Sequence, residues 1–223
     1  MQMRDLFRSG RLLAITAVAL LMAGCGKDGG YHEYTRSRSQ VSLNTYDYLK
    51  NQAGVFDSMV KVIDRLNLER AVKSNKLTVM GITNSSFAAA VKNLNIMRAG
   101  IGKEPLYLAD LDINHLDTLF CRYMMPGLMP TDSLKGAPDG KLYNSLKFNA
   151  VMNMLLFSQP ASGLDKGGPQ YITFSDTKGS FYISRWARTN TAAMDTYTIN
   201  GIVHMISPDH EFGFNEFLSR FKN

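Results

Sequence analysis

The chain has 223 residues, 45% hydrophobic and 20% charged, with a formal net charge of +6. This balance excludes a disordered polyelectrolyte and leaves room for one large domain. The charge falls to +4 once residues 1–24, which carry three Arg and one Asp, are set aside, and that is too small an excess to imply a nucleic-acid partner.

The chain opens on Arg4, Arg8 and Arg11, followed by "LLAITAVALLMAG", an uncharged run from Leu12 to Gly24 that ends at Cys25. The run is short of the ~20 residues a bilayer-spanning helix needs and fits the apolar core of a secretory signal. "LMAGC" resembles a bacterial lipobox, with Ala23 and Gly24 before the cysteine and Met22 where Leu is commonest. The resemblance implies a lipoprotein signal peptide at 1–24, lipidation of Cys25 and a mature chain of 199 residues. The alternative is a buried helix that ends in Cys. It fits poorly with a segment placed after arginines and before a polar spacer. With Cys25 lipidated, Cys121 has no disulfide partner. In "LDTLFCRYMM" it is expected to be a buried, unreactive thiol.

Residues 25–42 read as a flexible tether, polar and Gly-rich, with Arg36–Arg38 either solvated or favouring anionic headgroups and glycans. A single domain is expected over 43–223. Thr45 is a candidate cap for a first helix, and Tyr48 and Leu49 begin its apolar face. Phe56, Met59, Val60, Ile63 and Leu66 recur at helical spacing, and Leu68, Ala71 and Val72 continue in a short helix. "KLTVMGIT" reads as a buried strand. "NSSFAAAVKNLN" reads as a helix capped by Asn84 or Ser85. "DINHLDTLFCRYMM" predicts a helix stopped by Pro126 and Gly127. "NAVMNMLLFSQ" fits helix or strand. "GPQYITFSD" and "GSFYISRWA" look like strands around a turn at "TKG". "TYTINGIVHMIS" is a strand with a tight turn at its start, where Gly201 is expected to supply a positive φ. "EFGFNEFLSRFK" suggests a terminal helix with Phe214, Phe217 and Leu218 inward.

Two blocks stand near the ends of the domain: "LTVMGITNSSFAAA" at 77–90 and "YTINGIVHMISP" at 197–208. Both resemble signature blocks of the fasciclin-type adhesion domain. Thr78, Val79, Thr83, Asn84 and Phe87 match the first, and Met80, Gly81 and Ile82 replace its usual Phe-Ala-Pro. Asn200, Gly201, Val203, His204 and Ile206 match the second, with Ser207 in place of an acid. Between them, "LFCRYMMPGLMPTDSL" is similar to the family's central stretch at Tyr123, Pro126 and Gly127, with Met124 where the family has His. That departure weakens transfer of the integrin-binding role proposed for animal members. The resemblance implies an α+β fold, a fasciclin-like β-sheet wedge or sandwich with packed N-terminal and central helices. It implies that the matched residues are fold determinants. The segment from Lys141 to Ala187 is longer than the family pattern.

Residues 200–214 hold two of the four histidines. Alternation places His204 on one strand face with Ile202 and Ile206, where a buried imidazole would bond a backbone carbonyl or a side chain. His204 and His210 match no helical zinc spacing. Asp209, His210 and Glu211 would hold a cation only loosely, so no metal or cofactor is expected. His32 falls in the tether and His115 near a helix start. No nucleophile motif or phosphate loop occurs, so no catalytic residue is assigned. Trp186, Tyr143, Tyr171 and Tyr182 either pack in the core or, exposed, stack on sugars or form protein contacts.

The expected function is therefore non-enzymatic. The protein is read as an envelope lipoprotein, anchored to the membrane by its N-terminal lipid, that contacts an extracellular or envelope protein or glycan. Gly26, where an Asp often retains lipoproteins at the inner membrane, points to the outer membrane. The rivals are an accessory subunit of an outer-membrane glycan or peptide uptake system, and a hydrolase, which the lack of a paired acid and base disfavours.

Overall fold

The computed structural model describes residues 39–161, 163 and 167–223. The expected signal peptide, Cys25, His32 and most of the expected tether lie outside the described residues. The described residues form one compact unit.

Strand β2 (Leu77–Gly81) is buried at every position and β8 (Gly201–Ile206) at all but Met205. Apolar residues on both faces suit strands covered from both sides. The two pair in parallel, Leu77 with Gly201 through Gly81 with Met205. The two sequence blocks from opposite ends of the domain are thus neighbours in the sheet. The sheet order is β3-β2-β8-β7-β6-β5-β4, with β3 Met124–Pro126, β4 Lys141–Asn144, β5 Val151–Ser158, β6 Gln170–Asp176 and β7 Ala187–Tyr197. All pairs but β2–β8 along this path are antiparallel. The Leu146 N–H donates to the Met124 carbonyl at 2.7 Å, so the segment after β4 at one edge meets β3 at the other and nearly closes the sheet. The fold is α+β. The long segment 141–187 supplies β4, β5 and β6.

Ser39–Gln40, placed in the tether by composition, form β1 and pair in parallel with Thr196–Tyr197 of β7. The helices are α1 Thr45–Asn51, α2 Asp57–Arg65, α3 Glu69–Ser74, α4 Asn84–Gly100, α5 Ile113–Phe120, α6 Thr131–Leu134 and α7 Phe217–Phe221. Asn44 caps α1, its side chain accepting from the Asp47 N–H at 2.9 Å. Thr45, the expected cap, is the first helical residue and is fully buried.

Several local expectations differ from what forms. Helix α5 ends at Phe120, not at Met125, because Met124 and Met125 pair with Val79 and Thr78 instead. "NAVMNMLLFSQ" resolves as a strand, β5. "GSFYISRWA" is no strand before Ala187. Lys178 and Gly179 take positive φ (53° and 66°), and a 3₁₀ turn follows at Ile183–Arg185. The terminal helix is only Phe217–Phe221, since Gly213, Phe214 and Asn215 all have positive φ (96°, 50° and 66°). Phe214 and Phe217 are nevertheless buried.

Gly201 does not adopt a positive φ. It is needed for space: a Cβ there would lie 2.8 Å from the Leu77 carbonyl oxygen and collide with Thr45 Oγ1. Asn200 beside it is a four-way tie. Its Oδ1 accepts from the Thr45 N–H (2.8 Å) and from Thr45 Oγ1 (3.2 Å). Its Nδ2 donates to the carbonyls of Val72 (2.9 Å) and Asn75 (2.8 Å). One amide thereby joins the β7–β8 turn to the start of α1 and the end of α3. We expect Asn200→Ala to lower stability by roughly 2–3 kcal/mol, because a backbone N–H and two carbonyls lose their partner. Urea unfolding checks this, and a loss below about 0.5 kcal/mol, the range of an ordinary surface substitution, refutes it.

Candidate functional site

The matched block residues act as ties within the fold. Thr78 Oγ1 donates to the Gly127 carbonyl at 2.8 Å and accepts from the Met129 N–H at 2.9 Å, which fastens β2 to the segment after β3. Gly127 sits at φ 97°, a conformation that favours glycine, and Pro126 pairs with Leu77 at the sheet edge. Val203 pairs with Val79. Thr83 precedes α4 without capping it through its side chain, and its hydroxyl bonds Ser85 Oγ (2.8 Å) and Ser86 Oγ (3.2 Å). Asn84 caps a neighbour rather than its own helix: its Oδ1 accepts from the Ser58 N–H of α2 at 2.8 Å, and its Nδ2 donates to Asp57. The Phe87 ring lies 4.7 Å from that of Phe212, centroid to centroid.

His204 is fully buried. Its Nδ1 accepts from the Asp195 N–H (3.2 Å), so Nε2 carries the proton and faces the Met129 carbonyl at 3.0 Å. Asp195 sits at φ 58° where β7 shifts register against β8, and its carboxylate takes the Thr131 N–H (2.9 Å) and hydroxyl at the start of α6. The imidazole spans a bulge and a loop, with both ring nitrogens engaged by backbone.

His210 turns inward. Its Nε2 lies 2.7 Å from the Tyr123 hydroxyl, which accepts from the Gly213 N–H at 2.9 Å. The hydroxyl proton has its partner only if it points at His210, so Nε2 is unprotonated there. Tyr123 is stacked on Phe214 (centroids 5.1 Å, interplanar angle 16°) and packs against Phe212 and Phe174. Burial pushes the Tyr123 phenol well above its ordinary value and His210 down to about 4. Glu211 accepts from Asn93 Nδ2 at 2.7 Å. Among the described residues no group of three or more His, Cys, Asp or Glu side chains converges as a metal site. Cys121 is buried, and burial, with its contact to Asp117, pushes its thiol well above the ordinary value. His115 is exposed.

Two features stand apart from the matched residues. The first is a half-open cavity of about 340 Å³ lined by Arg122, Asp176, Lys178, Glu216 and Arg220. Arg122 Nη1 lies 2.5 Å from Asp176 and 2.8 Å from Glu216, and Nη2 lies 2.9 Å from Glu216. Lys178 Nζ reaches Glu216 (2.6 Å), Asp176 (3.1 Å) and the Phe214 carbonyl (2.8 Å). Burial pushes the Glu216 carboxyl up, but hydrogen bonds from Arg122, Lys178 and Arg220 outweigh it and hold the group well below the usual carboxylate range. Nothing in the local sequence marks these residues, and Arg122 and Glu216 lie 94 positions apart. The second feature is the β6–β7 loop. Phe181 is 98% exposed and Tyr182 69%, with Ile183 beside them. Trp186 donates its indole N–H to the Ser180 carbonyl at 2.8 Å and so braces the loop. Tyr171 packs against Phe157 (centroids 5.1 Å) and Tyr143 is half-buried.

The His210 arrangement has an acid signature. Folding lowers the His210 value from 6.5 to about 4, so the unfolded chain takes up the proton first as pH falls. Stability is full above pH 6.5 and declines toward pH 4, by up to roughly 3 kcal/mol. Glu216 contributes with the same sign only at lower pH, as the unfolded carboxylate begins to protonate. His210→Gln keeps an acceptor for Tyr123 and removes the titration. Urea midpoints of this variant are expected to change less than wild type between pH 7 and 4.5, and equal slopes would place the acid sensitivity elsewhere.

No family model matches the chain, and neither does any curated protein. Among solved structures the chain is similar to a FAS1 domain pair from the insect cell adhesion molecule fasciclin I, at 14% identity and a TM-score of 0.43, over 76% of this chain. The chain spans 44% of that structure's length.

Proposed function

We propose that the protein is a non-enzymatic cell-envelope lipoprotein, anchored through Cys25 at the outer membrane, that makes adhesion-type contacts with an extracellular or envelope protein or glycan. The observation that carries this reading is the β6–β7 loop, with Phe181 98% and Tyr182 69% exposed. Burying a Phe side chain against a partner is worth about 1.5–3 kcal/mol. The Trp186 brace limits the ordering cost of docking. The lipobox resemblance supports the anchor, and the three sequence blocks support the adhesion-type role.

A second reading rests on the charged cavity beneath the same loop: an accessory of an outer-membrane uptake system that holds a glycan or peptide near a transporter.

Two measurements test the proposal. Protease shaving of intact cells, with a periplasmic protein as leakage control, is expected to cut the domain from the surface. Survival until the outer membrane is opened would overturn the surface-adhesion reading. The double variant Phe181→Ser, Tyr182→Ser is expected to keep its unfolding midpoint, because both side chains are exposed. Cells carrying it should attach to matrix- and glycan-coated surfaces about tenfold less than wild type, a loss of the order expected from one truncated hot spot. Unchanged attachment would remove the loop from the contact.

A further inference from the structure

The charged cavity contains three cationic side chains, Arg122, Lys178 and Arg220, and two carboxylates, Asp176 and Glu216. Both carboxylates are committed. Glu216 accepts from Arg122, Lys178 and Arg220. Asp176 accepts from Arg122 and from the Lys178 N–H, and lies 3.1 Å from the Lys178 ammonium. A cationic ligand would find both carboxylates already paired with cations. Donors are in surplus. Arg122 is 8% exposed, and its Nε is the one buried side-chain nitrogen or oxygen among the described residues without a hydrogen-bond partner. Arg220 meets Glu216 through Nε and Nη2, which leaves its Nη1 outside that contact. The Arg122 Nε is closed off from solvent, so the cavity keeps one net positive charge and the Arg220 Nη1 edge outside the Glu216 contact, and a guanidinium has the planar geometry suited to a carboxylate.

The rest of the lining narrows the ligand. Asn149 supplies an amide, while Ala150 and Val151 are the only apolar side chains. A bulky apolar peptide side chain would find little to pack on, whereas a ring rich in hydroxyls would find donors and acceptors around it. The volume of about 340 Å³ is at the small end of ligand pockets and fits one unit of a polymer. Gly179 belongs to the wall, and Phe181 is two residues further on, within about 7.6 Å along the backbone. An exposed aromatic at that distance can stack on the apolar face of an adjoining ring.

We propose that this cavity binds a uronic acid unit of an acidic glycan, its carboxylate facing Arg122 and Arg220 and the neighbouring sugar lying against the Phe181–Tyr182 loop. This deepens the contact function proposed above and rests on it.

The test is isothermal titration of the full chain in detergent micelles with an oligogalacturonate. The comparison ligands are its methyl ester, a neutral maltooligosaccharide, a glutamate-rich peptide and inorganic sulfate. The oligogalacturonate is expected to bind, and its uncharged methyl ester and the neutral sugar about tenfold more weakly or not at all. Arg220→Gln should weaken binding about tenfold. Asn149→Asp is the safer second variant: the site is exposed, and its φ of 49° suits Asp as well as Asn. It adds a negative charge at the rim and should weaken binding while leaving the unfolding midpoint in place. Equal binding of the methyl ester, equal binding by the peptide or by sulfate, or wild-type affinity in folded Asn149→Asp would each overturn the assignment. If oligogalacturonate fails to bind while the Phe181→Ser, Tyr182→Ser variant still loses attachment, only this inference falls. If both fail, the contact function falls with it.

Discussion

The parallel contact between β2 and β8 is the constraint on which the rest depends. It brings together strands separated by more than a hundred residues, and it needs room where Gly201 faces the Leu77 carbonyl. Long-range pairing of this kind must overcome a large loop-closure entropy before it stabilises anything. Asn200 helps by bonding α1 and α3 at the same corner, so that strand pairing and helix docking reinforce each other. From β8 the sheet grows outward through β7 and then through β6, β5 and β4. The exposed loop is carried on this second half, which also supplies Val151, Asp176 and Lys178 to the cavity wall.

Buried polar groups divide the protein into a sealed region and an open one. His204 and the Thr131–Asp195 contact sit where backbone irregularities would otherwise leave donors without partners, and each bond satisfies one of them. Tyr123 and His210 do the same within an aromatic cluster. These groups stitch loops to the sheet. The Arg122 cluster is different. Its charges are paired, but not evenly, and they border a cavity. Charges withdrawn from water in this way contribute little to stability beyond neutral packing.

How much of this could be read in the sequence depended on how local the cause was. The β2 run and the burial of His204 follow from alternation, residue type and chain position. The role of Gly201 was misread because an Asn-Gly pair suggests a turn, and only the tertiary structure reveals the crowding by Thr45 and Leu77. Residue type makes Asn84 or Ser85 the expected cap of α4, but Asn84 caps α2, 26 positions back. "GSFYISRWA" has the composition of a strand, but Lys178 and Gly179 turn the chain before it can pair. The ionic cluster was invisible because Arg122, Asp176 and Glu216 come from three distant segments, each ordinary in its own context.

The loop and the cluster are mechanically one unit. Asp176 ends β6 and accepts the Lys178 N–H through its Oδ1, while its Oδ2 faces Arg122. Lys178, already in the left-handed region, extends its ammonium to the Phe214 carbonyl and to Glu216. The first residues of the exposed loop are therefore rooted in the same charges that line the cavity. The C-terminal segment is held there too, since Glu216 also bonds Arg220 one helical turn later. An anion that drew Arg122 or Arg220 away from Glu216 would alter the partners left to Lys178, and through it the base of the loop that presents Phe181. The cavity and the base of the aromatic loop thus share hydrogen-bond partners, Asp176 and Glu216.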